Sequence, residues 1–208
     1  MNILYYAPGA CSLSVHIVLE WVGEPYKAVR VNYADPEYHK LNPAGQVPTL
    51  DIGDGTLLTQ CSAILAYLAK THPEATLAGN KTPFGQADIG RWSAFFTGDV
   101  HPAFFPLFMP QRYTTAEDDA ALAKVRSAGV ALVRKRLDLL EAHLIGRTYI
   151  VGGSRTYVDA YSVPMIRWAS ATIPGGLVDW PAVKVHHERM LADAGVEKAM
   201  RDEGLIKS

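Results

Sequence analysis

The sequence predicts an α/β layer followed by an all-helical half (α/β plus all-α). Three observations carry this. A strand-helix-strand order runs through residues 2–33, a Gly53-Asp54-Gly55 turn joins two further apolar runs, and beyond residue 85 only helical periodicity remains.

Asn2 to Tyr6 (NILYY) is a short apolar run, consistent with a buried strand. Pro8-Gly9 punctuates it, and from Ser12 the period changes. Leu13, Ile17, Val18, Trp21 and Val22 fall on one helical face, with Gly23 as the stop. Residues 26–33 (YKAVRVNY) read as a second strand, parallel to the first through a right-handed crossover. A polar connection, DPEYHKLNPAG, follows. VPTLDI and TLL then form a hairpin around Asp54-Gly55. A helix bearing Ile64, Leu65 and Leu68 on one face ends before Pro73. This order describes a small layer of the thioredoxin type.

The remainder is helical. Leu122, Val125, Leu132, Val133, Leu140 and Leu144 recur close to 3.6 residues apart. Thr156 and Asp159 have the spacing of a reciprocal cap, and Trp180-Pro181 opens a further helix. The expected division is 1–77 for a thioredoxin-like domain, 78–84 for a linker and 85–208 for a helical domain.

The 208 residues carry a formal net charge of −1, with 49% hydrophobic and 20% charged residues. That balance gives no footprint for nucleic acid or an anionic membrane. No apolar run reaches the roughly 20 residues of a membrane span, and no signal peptide is evident. Two cysteines in a chain of this length do not make a secreted disulfide scaffold. The expectation is a cytoplasmic protein with reduced thiols. His16, His39, His72, His143, His186 and His187 show no metal-ligand spacing, so no metal is expected.

Cys11 lies just before the turn that starts the first helix. It is either a small buried filler or a thiolate held by unpaired N–H groups and the helix dipole. Cys11-Ser12-Leu13-Ser14 is a C-x-x-S pattern, which keeps an attacking cysteine and lacks a resolving one within the motif.

The stretches YYAPGACSLS, NPAGQVPTL, LLTQCSAILAYLA, DVHPAFFPLF and YIVGGSRTYVDAYSVPMIRWA occur in that order. Together they closely resemble bacterial glutathione S-transferases of the beta class, over nearly the whole chain. The resemblance implies a cytosolic homodimer that binds glutathione as co-substrate with its first domain. It also implies an acceptor pocket built largely by the second domain.

Residue by residue, the resemblance puts Cys11 against the glutathione sulfur. There it would stabilise the thiolate or bond to it in thiol transfer. Tyr5 is either a hydrogen-bond donor to that sulfur or a core aromatic. Ser12 and Ser14 read as helix-start hydroxyls. Pro48 resembles a cis-proline that turns the Val47 backbone toward the peptide for strand-like pairing, and Gln46 would meet its glycine end. Gln60-Cys61 would meet the γ-glutamyl end at a helix mouth, and the family's usual pair there is Glu-Ser. Cys61 also reads as a buried helix cysteine or, less favoured, as a reactive second thiol. His101 would lie beside the sulfur, and Asp99 would reach the neighbouring subunit's glutathione. Pro102 and Ala94 replace a usual lysine and asparagine, and the loop at residues 33–37 is short. Phe104, Phe108, Tyr113 and Trp168 are candidates for the apolar acceptor pocket or for core.

The function expected is conjugation of the glutathione thiolate to small apolar electrophiles, a detoxification chemistry, with Cys11-dependent thiol transferase or peroxidase activity as a variant. The alternative is a non-catalytic carrier or interaction module of the same fold. Gln60, Ala94 and Pro102 favour it, because each offers glutathione less polar contact than the family's usual residue. The acceptor itself is not written in the sequence.

Overall fold

In the computed structural model, which describes residues 1–207, β1 (Asn2–Tyr6) lies inside a four-stranded sheet of order β2-β1-β3-β4. β2 (Tyr26–Arg30) pairs parallel to β1, with Leu4 opposite Ala28. β3 (Thr49–Asp51) pairs antiparallel to β1, with Leu4 opposite Leu50. β4 (Leu57–Thr59) completes the hairpin. The second strand is shorter than the YKAVRVNY run suggested, although the Val31 N–H still donates to the Tyr6 carbonyl at 2.8 Å.

The crossover helix α1 (Leu13–Val22) differs more from expectation. Leu13 to Leu19 are all buried, so the helix has no wet face over that stretch. It packs on the sheet, on α3 (Cys61–Thr71), and on α8 (Tyr157–Thr172) and α10 (Ala194–Asp202) of the helical half. A helix apolar on all sides belongs in an interior.

The polar connection also holds a helix. In α2 (Pro36–Leu41), Asp35 accepts from the Glu37 N–H at 2.9 Å and proline fills the first position. Tyr38 Oη donates to the Gln46 carbonyl at 2.5 Å, and Asn42 Nδ2 donates to it at 2.7 Å. These bonds anchor the loop that ends at the cis peptide Val47-Pro48.

α4 (Pro83–Ala94) starts from Thr82, whose hydroxyl accepts from the Gly85 N–H at 3.1 Å. Its course continues through a π-turn at Phe95–Val100 into two short helices, α5 (His101–Ala103) and α6 (Phe105–Phe108). α7 (Asp119–Leu144) buries Gly129, Val133, Leu137, Leu140 and Leu144. Of the periodic series, Leu122 and Val125 are half-buried and Leu132 is exposed. A Cβ at Gly129 would meet Leu107 Cδ1 at 2.2 Å, so α6 lies directly on α7 there. α9 (Pro181–Leu191) follows the Trp180-Pro181 signal. Among the described residues no strand follows β4.

Asp159 organises the start of α8. It is fully buried, and its carboxylate accepts from the Thr156 N–H at 2.7 Å, the Thr156 hydroxyl at 3.0 Å and the Ile150 N–H at 2.9 Å. Asp159→Ala leaves these donors orphaned in the core. The expected loss is about 3 kcal/mol or more, read as a lower urea midpoint at neutral pH.

Burial pushes His101, His186 and His187 from the ordinary 6.5 down to about 4. It pushes Asp159 from 3.8 up to about 6, partly opposed by the N–H groups it accepts from. The three imidazoles stabilise the fold fully above pH 6.5, and that contribution is lost as pH falls toward 4, because the unfolded chain takes up their protons first. Asp159 acts oppositely over the overlapping range, but as one group against three. Urea midpoints therefore decline on acidification through this window.

Candidate functional site

The N-terminal end of α1 is the fixed point of the site. The Leu13 N–H bonds the Ala10 carbonyl at 3.0 Å and the Ser14 N–H bonds the Cys11 carbonyl at 3.1 Å, so Cys11 sits in a tight turn feeding the helix. Ser12 Oγ bonds the Ala7 backbone, and Ser14 Oγ donates to the Cys11 carbonyl at 2.7 Å. Both hydroxyls hold the helix start, as expected of them. The loop before Cys11 is held from the helical half. The Gly9 N–H donates to Glu203 Oε2 at 2.8 Å, and Trp168 Nε1 donates to the Gly9 carbonyl at 2.8 Å.

Cys11 lines a cleft of about 290 Å³ between the two halves of the chain. Gln46, Val47, Pro48, Gln60 and Cys61 line it from the first half, and Thr97, His101, Pro102, Phe105 and Tyr161 from the second. The Cys11 thiol donates to the Val47 carbonyl at 3.3 Å. The Val47 N–H has no hydrogen-bond partner among the described residues. Gln60 has φ 72 and ψ 116 at the mouth of α3, a conformation that L-residues rarely adopt.

Cys11 is held below the ordinary thiol range. The chief cause is a hydrogen bond from Cys61, and the N–H groups of Cys11 and Ser12 help against the cost of burial. The helix mouth expected to do this is the lesser contributor. Cys61, wholly buried, is pushed well up by burial first and by Cys11 second. Its thiol donates to the Cys11 carbonyl at 3.4 Å and lies 3.7 Å from Ser14 Oγ.

His101 Nδ1 is 3.1 Å from Tyr161 Oη. With its imidazole pushed down to about 4 by burial, His101 is neutral at physiological pH. It is a hydrogen-bonding partner for a sulfur anion rather than a strong acceptor of its proton.

A second cleft of about 480 Å³ opens from the first and shares Cys11, Gln46, Val47, His101 and Phe105 with it. Its other walls include Tyr33, Met109, Arg112 and Trp168. His101 stands edge-on to Trp168 at 5.2 Å and to Phe105 at 5.1 Å. Of the four aromatics expected here only Trp168 lines this cleft. Phe104 is core, stacked on Phe108 and edge-on to Trp168. Phe108 and Tyr113 are exposed and line neither cleft. Phe105 and Met109 line this cleft and Tyr161 lines the polar one, none of them assigned from the sequence.

Tyr5 also departs from expectation. Strand alternation buries Leu4 and Tyr6 under the helices and sends Tyr5 to the other face. There its ring is 5.9 Å from that of Tyr38, in a separate groove. Asp99 is half-exposed on the π-turn, paired with Arg136 at 3.1 Å, and does not line the cleft of its own chain. Ala94 does not line it either.

His16, Glu20 and Asp202 bring ligand atoms within 4.8 Å of one another, a cluster invisible in sequence. Lys198 Nζ already bridges both carboxylates, at 2.9 and 2.7 Å, so an internal ammonium balances them.

A thioredoxin-type sheet domain joined to a helical domain, with a tuned cysteine at the cleft between them, defines a thiol-handling enzyme of the glutathione transferase class. Family models agree: the glutathione S-transferase N-terminal domain matches residues 9–71 and the C-terminal domain residues 98–194. The chain is 40% identical to glutathione S-transferase GST-4.5 of Xanthomonas campestris, over 97% of this chain and 98% of that one. It is similar to a beta-class glutathione S-transferase of Sphingomonas chungbukensis, with a TM-score of 0.87, 29% identity and coverage of 98% and 100%. It is likewise similar to a sphingomonad glutathione S-transferase complexed with glutathione, with a TM-score of 0.85, 29% identity and the same coverage. The chain belongs to the glutathione S-transferase family. Its fold and class are those the motif order implied.

Cys61→Ala removes the main influence lowering Cys11 and leaves Cys11 as the sole thiol. The pH profile for its alkylation by iodoacetamide is expected to move to higher pH.

Proposed function

We propose that this enzyme binds glutathione in the polar cleft and conjugates its thiolate to small apolar electrophiles held in the adjoining one. The observation that carries this is the meeting of the two clefts at Cys11 and His101. The unpaired Val47 N–H would hold the cysteinyl part of glutathione in strand fashion. The mouth of α3, behind Gln60 and Cys61, would take the γ-glutamyl carboxylate on its N–H groups. Gln46 would meet the glycine end.

Cys11 and neutral His101 would then stand at the glutathione sulfur, with Phe105, Met109 and Trp168 as the apolar wall for the acceptor. Cys11 would also serve thiol transfer through a mixed disulfide. Exposed Asp99 fits a homodimer in which it reaches the partner's glutathione. No helix among the described residues is long and apolar enough to cross a membrane; the two free cysteines support a reducing, cytoplasmic site of action.

The carrier reading keeps one specific support. Gln60 lacks the charge, and Pro102 the ammonium, that the beta-class pattern puts at this cleft. Calorimetric titration with glutathione separates the two readings. Micromolar to millimolar binding is expected, and no heat at millimolar glutathione would leave the enzyme reading without its co-substrate.

Cys11→Ala is expected to abolish exchange with a glutathione mixed disulfide. It should slow conjugation of a halogenated nitroaromatic by no more than about tenfold, the ~1.4 kcal/mol scale of one hydrogen bond to a charged group. Parallel assays of both activities on the variant check this.

A further inference from the structure

The two cysteines are 50 residues apart in sequence and share one corner of the polar cleft. In the C-x-x-S segment the position of a resolving thiol belongs to Ser14. The fold sets the Cys61 sulfur 3.7 Å from that hydroxyl and 3.4 Å from the Cys11 carbonyl. A second sulfur therefore stands in space beside the place where the local motif lacks one. We propose that Cys61 is the resolving thiol for Cys11, making this site a two-cysteine centre that closes a reversible Cys11–Cys61 disulfide.

The chemistry balances with a glutathione disulfide as oxidant, and to that extent rests on the glutathione reading above. The Cys11 thiolate attacks one sulfur of the disulfide. The Cys11–glutathione bond forms, the glutathione S–S bond breaks, and one glutathione thiolate leaves. Cys61 then attacks the Cys11 sulfur. The protein disulfide forms, the second glutathione leaves as thiolate, and it takes up the Cys61 proton. Two protein thiols are oxidised and one glutathione disulfide is reduced to two thiols. The reverse sequence, with two glutathione thiols, regenerates the protein.

The environment sets the order of the two steps. Cys11 is the better nucleophile at rest, because the Cys61 S–H stabilises its anion. Cys61 is held protonated by burial, and further by the bond to Cys11 and the charge there. Once Cys11 carries a glutathionyl group it has no charge, and the latter two influences disappear. Burial still raises Cys61, but the part of its elevation that comes from Cys11 is relieved once there is a mixed disulfide to resolve. Both residues line the same cleft, and the Cys61 sulfur already lies 3.4 Å from the Cys11 carbonyl, so the two side chains start from one corner of it.

The test treats the reduced full chain with glutathione disulfide, or with a sulfur-free azo oxidant such as diamide. Products are read by non-reducing mass spectrometry with peptide mapping. The expected result is a monomer lighter by two hydrogens with either oxidant, and a cross-linked peptide pair containing Cys11 and Cys61. Cys61→Ser, which restores the hydroxyl usual in the family, is expected to stop at a stable glutathionyl adduct on Cys11. Cross-linking by the azo oxidant, without any adduct in Cys61→Ser, would keep the cysteine pair and remove the glutathione reading. A wild-type chain that accumulates the same adduct as Cys61→Ser, or that forms no intramolecular cross-link with either oxidant, overturns the proposal.

Discussion

The buried carboxylate of Glu203 is the contact on which the reactive corner depends. It lies near the end of the chain, yet it accepts the Gly9 N–H at 2.8 Å and pairs with His16 Nδ1 at 3.0 Å. One group thus fixes both the loop that delivers Cys11 and the middle of the helix that follows it. Trp168 completes the clamp on the Gly9 carbonyl. The reactive turn belongs to the first domain by sequence and to the helical domain by support. A buried carboxyl group of this kind is tolerable only where its oxygens are hydrogen-bonded, and both oxygens here are.

A similar dependence on distant groups governs the thiol. A cysteine at a helix mouth gains modestly from the N–H groups around it, and burial works against that gain. The larger influence comes from a side chain on another helix. His101 complements it from the opposite wall, kept neutral by burial and oriented by Tyr161. The polar cleft is therefore tuned by hydrogen bonds from uncharged groups.

Much of this was legible in the chain. The strand order, the Asp54-Gly55 hairpin, the Thr156–Asp159 cap and the Trp180-Pro181 helix start are local signals, and local physics delivered them. Cys11, Val47-Pro48, Gln60-Cys61 and His101 converge because each lies at an element end facing one cleft. What escaped was long-range or phase-dependent. The face taken by Tyr5 follows from which side of the sheet the helices cover. Phe104 and Phe108 do not line the second cleft, because the π-turn at Phe95–Val100 and the break before α6 interrupt the helical phase. Phe105, not Phe104 or Phe108, therefore points to the cleft. α2 was announced by Asp35-Pro36 but is too short to show a period. Tyr161 sits within a stretch read for its cap, its motif and Trp168, and had no signal of its own. The influence of Cys61 on Cys11 spans 50 residues and leaves no trace in either local pattern.

The bond between Gly9 and Glu203 joins residues 194 positions apart. Contacts of such separation form late, because the intervening chain must be ordered before they offset the cost of closing the loop. Cys11 leaves the ribosome 192 residues ahead of Glu203, so the loop before it is clamped only after residue 203 has emerged and docked. A nascent chain thus carries its cysteine through synthesis without the surroundings that tune it. Acquisition of a reactive thiol thus waits on the docking of a segment made long after the cysteine itself.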